Sequence, residues 1–144
     1  MNAAVFADTS AFLALRNAAD LEQYPVARGV VENLRANRVP LLTTDYVLDE
    51  AYTLLRSVLG HRTAVAFGRE IREGGITIVQ VDPGVQADAW RIFERYEDKE
   101  FSFTDCTSFV VMRRANLSAA FTFDRHFQQY VFETLPSELP VRRG

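Results

Sequence analysis

The sequence predicts an α/β fold in which a parallel, doubly wound sheet is covered by helices. First, short apolar or β-branched runs alternate along the chain with longer segments of helical periodicity, and strand–helix units repeated in this way form parallel sheets with right-handed crossovers. Second, a length of 144 residues suits one domain, which we take as 1–144. Third, a composition of 48% hydrophobic and 24% charged residues is typical of a globular protein.

Composition also limits the cellular setting and the kind of partner. The net charge of -3 lacks the basic excess that is usual in nucleic-acid-binding proteins, but carboxylates that bind metal ions would leave the remaining surface more positive. The single cysteine, Cys106, excludes an internal disulfide and is consistent with a reducing compartment. Since the chain has neither a signal-peptide pattern nor a long apolar run, we expect a cytoplasmic protein with no membrane association.

The first strand is predicted within Met1–Ala7, an uncharged apolar run that is too short for a buried helix. Asp8 follows at the carboxyl end of this strand, the side of a parallel sheet on which ligands bind. Thr9 and Ser10 can cap the next helix, predicted over Ala11–Asn17, or hydrogen-bond the Asp8 carboxylate. Asp is also common at turns and helix starts, so Asp8 has a purely structural alternative.

The second strand–helix unit follows a helix that is predicted to begin at Pro25, a residue favoured at the first helical position. Val39–Thr43 is the predicted strand. The helix after it is capped by Thr44 or Asp45 and ends at Gly60.

Two neighbouring acids lie inside this helix. Glu50 falls on the shoulder of the apolar stripe, whereas Asp49 points further out. The difference in angle is small, so periodicity alone does not decide which of the two faces the sheet edge. A glutamate at the edge of an amphipathic helix is also often only solvated.

A third unit begins with a helix over His61–Glu73, which ends at the pair Gly74-Gly75. Ile76–Val81 has the alternation and branching of a strand, and Asp82-Pro83 begins the next helix. Because no glycine-rich fingerprint follows any strand, a nucleotide cofactor is not expected.

The next candidate acid is Asp105, in the first turn of a helix for which Thr104 is the predicted N-cap. Asp105, Phe109 and Met112 are spaced i, i+4 and i+7, so the carboxylate is expected to share the buried face and to look inward over the sheet edge. The alternative is an aspartate that only stabilises the helix dipole.

The fourth strand, Ala119–Phe123, ends directly before Asp124. This is the same pattern as the first strand followed by Asp8, and parallel strands end at the same edge of a sheet. A short fifth strand is predicted within Val131–Leu135, before a polar tail that contains proline.

Asp8, Glu50, Asp105 and Asp124 are therefore all predicted at or near one edge of the sheet. Four carboxylates in close proximity repel one another unless cations neutralise them, and oxygen ligands suit Mg²⁺ or Mn²⁺ better than zinc. A divalent ion held in this way lowers the pKa of a water ligand and neutralises charge on a phosphate under attack. The implied reaction is phosphodiester hydrolysis.

Four segments also carry a family resemblance: Val5–Ser10, the helix with Glu50, Phe103–Phe109 and Phe121–Phe127. In order and spacing they resemble the four acidic motifs of PIN-domain ribonucleases, in particular VapC-type toxins of type II toxin–antitoxin systems. The resemblance covers nearly the whole chain, and its last two segments are the most specific. It departs at Phe127–Val131, which lacks a glycine that such toxins often have near the last strand, so this loop is expected to differ in shape.

The resemblance implies a Rossmann-like three-layer α/β/α sandwich with a four- or five-stranded parallel sheet. It implies an endoribonuclease that depends on Mg²⁺ or Mn²⁺, cuts RNA and forms a homodimer. It also implies inhibition by a cognate VapB-type antitoxin.

The resemblance assigns residues as well. The acids that it implies as metal ligands and catalytic residues are Asp8, Glu50, Asp105 and Asp124. It thereby selects Glu50 over Asp49. The hydroxyl side chains that it implies as hydrogen-bond partners of the acids are Thr9, Ser10 and Thr122. The arginines that we expect as candidates to hold RNA phosphates are Arg113, Arg114 and Arg125, although exposed arginines are more often only solvated.

Other catalytic classes fit the sequence poorly. A haloacid-dehalogenase-type phosphatase needs a second aspartate at the position of Ser10, and a phosphoacceptor receiver domain needs an acceptor aspartate after Val79–Val81. Cys106 has no histidine near it in the sequence, and a cysteine on a helix face is usually part of the core. His61 and His126 lack metal-ligand spacing and are expected on the surface or in loops.

Two alternatives are compatible with the same fold. One is a catalytically silent PIN-like module that binds nucleic acid or regulates another protein, and the other is a structure-specific DNA nuclease. Four mutually repelling carboxylates disfavour the silent module. The chain also lacks an added duplex-binding module, which disfavours the DNA nuclease.

Overall fold

The computed structural model describes residues 3–139, and its five strands form one parallel sheet. The strands are Val5–Ala7 (β1), Leu41–Thr44 (β2), Ile76–Val79 (β3), Ala119–Phe121 (β4) and Glu133–Leu135 (β5). The helices are Thr9–Arg16 (α1), Gln23–Ala36 (α2), Asp45–Leu59 (α3), His61–Arg72 (α4), Pro83–Arg95 (α5), Phe103–Arg114 (α6) and His126–Tyr130 (α7). Met1, Asn2 and the end of the predicted polar tail lie outside the described residues.

The strand order is β3-β2-β1-β4-β5. The chain moves outward from the central β1 to β2 and β3, and then returns to place β4 on the other side of β1. The boundary between β1 and β4 is thus the point at which the strand order reverses, where open α/β sheets bind ligands. Asp8 and Asp124 follow these two strands, so the topology brings both acids to the same crevice.

Helices cover both faces of the sheet, as the sequence predicts. Val5 and Phe6 are adjacent in β1 and point to opposite faces. Val5 packs in a cluster with Ala27 and Leu34 of α2, whereas Phe6 belongs to the larger cluster that includes Leu55 of α3. The predicted three-layer α/β/α sandwich with a parallel sheet of five strands is therefore confirmed.

Several element boundaries differ from the predictions for local reasons. α1 begins at Thr9 and not at Ala11, because the backbone oxygen of Asp8 already accepts hydrogen bonds from the amides of Ala11 and Phe12. α2 begins at Gln23 and not at Pro25, because the Asp20 carboxylate accepts hydrogen bonds from the backbone amides of Glu22 and Gln23. The strands are also shorter than the apolar runs of the sequence from which they are predicted.

The N-cap of α6 is Ser102 and not Thr104 as predicted. The Ser102 hydroxyl accepts from the backbone amide of Asp105 at 3.0 Å, and Asp105 Oδ2 accepts from the backbone amide of Ser102 at 3.0 Å. This reciprocal capping box normally has Glu or Gln at the third helical position. Since this chain has the shorter Asp105 there, the usual sequence motif does not identify Ser102 as the N-cap. The cap holds the Asp105 carboxylate at the start of α6.

Replacing Ser102 by alanine is expected to lower the free energy of unfolding by about 1 kcal/mol, because the amide of Asp105 loses its acceptor. Urea unfolding followed by circular dichroism measures the effect. Ser57→Ala, at an exposed site of α3, is the matched control and should change stability by less than about 0.5 kcal/mol. Equal effects of the two substitutions would contradict this role of Ser102.

None of the helices within residues 3–139 has both the length and the apolar composition needed to cross a bilayer.

Candidate metal centre

Three acids meet at the carboxyl edge of the sheet. Asp8 directly follows β1, Asp124 lies just beyond β4, and Asp105 is held in the first turn of α6. Asp8 and Asp105 are buried, with 4% and 7% of their surface exposed, and Asp124 is half-buried. Each comes from a different part of the chain, so the site exists only in the folded protein.

Hydroxyl groups fix the Asp8 carboxylate against the loop that follows β4. Thr122 Oγ1 donates to Asp8 Oδ2 at 2.9 Å, and Ser10 Oγ lies 3.1 Å from the same oxygen. The two hydroxyls also accept from backbone amides, Thr122 from Asp124 at 3.0 Å and Ser10 from Phe123 at 2.8 Å. One network therefore positions the Asp8 side chain and the backbone of Asp124 together.

Thr9, the third hydroxyl residue assigned from the resemblance, has a different position. Its Oγ1 faces the backbone oxygen of Val47 at 3.5 Å, between α1 and α3. Its backbone amide, and not its hydroxyl, stabilises the charge of Asp8.

Burial and repulsion raise the pKa of Asp8 from 3.8 to about 7. Desolvation is the largest cause, and the negative charges of Asp105 and Asp124 add to it, while the hydrogen bonds from Thr122 and Thr9 act in the opposite direction. Burial also raises the pKa of Asp105. The carboxylates are thus close enough to repel one another, which is the condition that a bound cation relieves.

His126 belongs to this cluster, although the sequence analysis expected it on the surface or in a loop. Its Nδ1 lies 2.6 Å from Asp105 Oδ2 and 3.2 Å from Asp124 Oδ1. Among the described residues, Asp105, Asp124 and His126 form a group whose ligand atoms all lie within 4.8 Å of one another. No linear spacing reveals this, because the contact depends on α6 and α7 meeting in space. His61, by contrast, is exposed and contacts Arg56.

Glu50 lies on α3 outside the close group of Asp105, Asp124 and His126. It is half-buried and lines a hollow of about 510 Å³ that also includes Phe103 and Thr104. Asp49 lines the same hollow but is exposed. Since Thr104 directly precedes Asp105, this hollow lies beside the start of α6, and Glu50 is the more buried of the two acids that line it.

The three arginines differ in position. Arg113 and Arg114 are in the last turn of α6, about 12 Å along the axis from Asp105. Arg113 lies over the Tyr130 ring, 5.0 Å from its centroid, and Arg114 donates to Asp88 at 2.8 Å. The structure therefore does not bring these two to the acids, whereas Arg125 is exposed and directly follows Asp124.

Replacing Thr122 by valine is expected to raise the pKa of Asp8 further, by about one unit, because the carboxylate loses a donor that stabilises its charged form. Carbon-detected NMR titration of the aspartate carboxyls, without metal, measures this shift. Thr53→Val on the exposed side of α3 should leave the pKa of Asp8 unchanged. An unchanged pKa in the Thr122 variant would contradict the inferred role of this hydroxyl.

Comparison with known proteins agrees with the fold and shows the family. The sequence profile of the PIN domain matches residues 5–133. The 23S rRNA-specific endonuclease VapC20 of Mycobacterium tuberculosis, found in strains CDC 1551 and H37Rv, is 36% identical over 124 residues, which are 85% of this chain and 91% of the relative. The crystal structure of M. tuberculosis VapC20, described as a sarcin-ricin loop cleaving toxin, superposes with a TM-score of 0.80 at 34% identity, covering 90% of this chain and 96% of the other. The chain therefore belongs to the PIN-domain family, as its acidic motifs predict.

Proposed function

We propose that this protein is a divalent-metal-dependent endoribonuclease and the toxin of a toxin–antitoxin pair. The observation that supports this best is the convergence of Asp8, Asp105 and Asp124 at the crevice between β1 and β4. Burial of carboxylates that repel one another lowers the stability of the folded protein. A cation bound between them removes this repulsion. We further propose that the whole chain, 1–144, acts as one PIN-like domain.

The donor set suits a hard divalent cation. Asp8, Glu50, Asp105 and Asp124 are the proposed ligands, and carboxylate oxygens favour Mg²⁺ or Mn²⁺. Such an ion supplies Lewis-acid stabilisation of a phosphate under attack and activation of water.

The protein side chains have separate tasks in this proposal. Ser10 and Thr122 hold the Asp8 carboxylate in one orientation, because both hydroxyls lie within hydrogen-bond distance of the same oxygen. The capping box holds Asp105. We propose that Arg125, which is exposed beside Asp124, contacts an RNA phosphate that flanks the cleaved bond. Positioning by these groups orients the phosphate and water relative to each other, which is a large part of such catalysis.

The substrate class is RNA. VapC20 is named as a 23S rRNA-specific endonuclease, so 23S rRNA is the first candidate to test for this chain. A toxin of this kind acts in the cytoplasm and needs a VapB-type antitoxin to keep it inactive.

A homodimer is also proposed. Support comes from exposed apolar side chains on α3 and α5, including Leu54, Trp90 and Phe93. Phe93 contacts Phe103, and Leu54 and Phe103 line one hollow. These side chains therefore belong to one apolar surface patch, and such patches are typical of protein interfaces.

Purified protein is expected to cleave 23S rRNA at a discrete site in the presence of Mg²⁺ or Mn²⁺ and to be inactive with EDTA. Primer extension on treated ribosomes maps the cut. Cleavage that persists without any divalent ion, or equal degradation of every RNA supplied, would contradict the proposal.

The two neighbouring acids of α3 offer a matched test of the fourth ligand. Glu50→Gln is expected to lower kcat by at least about 100-fold, since removal of one charge-stabilising group at a reaction centre typically has an effect of this size. Asp49→Asn should change kcat by less than about threefold. The same RNA cleavage assay measures both variants, and the opposite order would assign the role to Asp49.

A further inference from the structure

His126 contacts two of the four proposed carboxylate ligands, Asp105 and Asp124. Its Nδ1 is 2.6 Å from Asp105 Oδ2 and 3.2 Å from Asp124 Oδ1, and its backbone amide donates to Asp124 Oδ1 at 2.9 Å. An ionised carboxylate only accepts hydrogen bonds, so the histidine tautomer that fits these contacts carries its hydrogen on Nδ1. One nitrogen and two oxygens thus lie within 4.8 Å of one another.

These spacings match those of ligands on one metal ion. Metal–nitrogen and metal–oxygen bonds of about 2.0–2.2 Å at right angles place neighbouring ligand atoms about 3 Å apart. The distances of 2.6 and 3.2 Å lie on either side of that value. An ion that binds the three atoms would therefore take the place of the Nδ1 hydrogen with little movement of the ring, and the neutral imidazole would then carry its hydrogen on Nε2.

The ring is both held and accessible. Phe101 packs edge-on against it, with ring centroids 5.7 Å apart at 75°, while 23% of the His126 side chain remains exposed. Phe101 is itself buried. The imidazole is therefore restrained by Phe101 and remains partly exposed to solvent.

We propose that His126 Nδ1 is a ligand of the same divalent cation as Asp105 and Asp124, and that this nitrogen donor makes the site favour transition-metal ions over Mg²⁺. The inference rests on the proposed function, because it uses the metal site described there. Imidazole is a common ligand of transition metals, whereas Mg²⁺ prefers oxygen ligands. The cluster is thus a mixed nitrogen and oxygen site and not a purely carboxylate one.

A different role, in which His126 only positions the two carboxylates by hydrogen bonds, predicts other results. Loss of such a contact weakens the binding of every divalent ion by a similar factor, and no nitrogen is bonded to the metal. The two roles are therefore separated by a spectroscopic measurement and by a comparison of two ions.

The spectroscopic test uses Mn²⁺ as the paramagnetic probe. Pulsed EPR of the Mn²⁺-loaded full chain is expected to show nitrogen coupling from a bound imidazole, and the coupling should change to the ¹⁵N pattern when only histidine is ¹⁵N-labelled. The chain has two histidines, so His61→Gln is the matched control. The His61→Gln protein should keep the nitrogen signal, whereas the His126→Asn protein should lose it.

The affinity test uses the same variants. His126→Asn keeps an oxygen acceptor near the Nδ1 position, and it is expected to weaken Mn²⁺ binding about tenfold or more but Mg²⁺ binding by less than about threefold. Titration calorimetry measures both, and circular dichroism of the metal-free variants checks folding.

Two results would overturn the inference and leave the proposed function standing. One is bound Mn²⁺ that shows no coupling to a histidine nitrogen, and the other is an equal loss of Mn²⁺ and Mg²⁺ affinity in His126→Asn. If Mn²⁺ did not bind to the wild-type chain at all, both would be overturned. Retention of the nitrogen signal in His126→Asn would likewise overturn the assignment.

Discussion

Asp8→Asn is expected to abolish RNA cleavage, by at least about 1,000-fold in kcat, and at the same time to make the metal-free protein more stable. The loss of activity follows from the position of Asp8 at the carboxyl end of β1 beside Asp105 and Asp124, where Thr122 and Ser10 fix its carboxylate. The gain in stability follows from its raised pKa of about 7. Activity and stability change in opposite directions, as expected for a carboxylate that is needed for catalysis and is buried close to other negative charges.

The sign of the stability change comes from proton binding. The pKa of Asp8 is 3.8 in the unfolded reference and about 7 in the folded protein, so the folded protein binds more protons across this range. Stability of the metal-free wild type therefore falls as pH rises through this range, and above pH 7 the charged carboxylate has its full unfavourable effect. Asparagine removes that charge, and we expect a gain on the order of 2 kcal/mol at pH 8.

Urea unfolding at pH 5 and pH 8 with EDTA measures the effect on stability, and the RNA cleavage assay measures the effect on activity. Asp98→Asn, which removes an exposed charge beside Lys99, is the control and should alter neither property strongly. An Asp8→Asn protein that still cut RNA, or that became less stable at pH 8 than the wild type, would be incompatible with the proposed role of Asp8.

Addition of Mn²⁺ is expected to stabilise the wild type strongly. A ligand at 100 times its Kd contributes about 2.7 kcal/mol, which corresponds to a rise in Tm of roughly 8 °C for a domain of this size. The rise should be smaller at pH 6 than at pH 8, because a proton on Asp8 competes with the ion.

Differential scanning calorimetry over a series of Mn²⁺ concentrations measures this shift. Asp8→Asn should lose most of it, whereas Asp98→Asn should keep it. An equal shift in both variants would mean that the ion binds elsewhere, and a larger shift at pH 6 would contradict the competition between proton and metal.

The fold could be predicted from the sequence because its signals are local and repeated. Each strand is an apolar run followed by a helix, as for Val5–Ala7 and α1, and this alternation limits the topology to a parallel sheet. The predicted helix starts differ from those in the structure where a side chain caps the helix, as Asp20 does for α2 and Ser102 for α6. Such bonds depend on backbone geometry that composition does not specify.

The proximity of Asp8 and Asp124 could be predicted for the same reason, whereas the contact of His126 with Asp105 could not. Asp8 and Asp124 each follow a strand, and parallel strands end at one edge, so their proximity follows from the topology. His126 reaches Asp105 only because α7 packs near the start of α6, and nothing in the sequence fixes that contact. Arg113 and Arg114 were considered as phosphate contacts because they share a helix with Asp105, but they lie at its opposite end.

The central claim is that Asp8, Asp105 and Asp124 bind one divalent cation at the crevice between β1 and β4. A crystal of the protein soaked in Mn²⁺ and measured at a wavelength with strong manganese anomalous scattering tests this claim. The account predicts an anomalous peak about 2.2 Å from carboxylate oxygens of these acids. A map without a peak between the three side chains, at Mn²⁺ concentrations that support RNA cleavage, would contradict it.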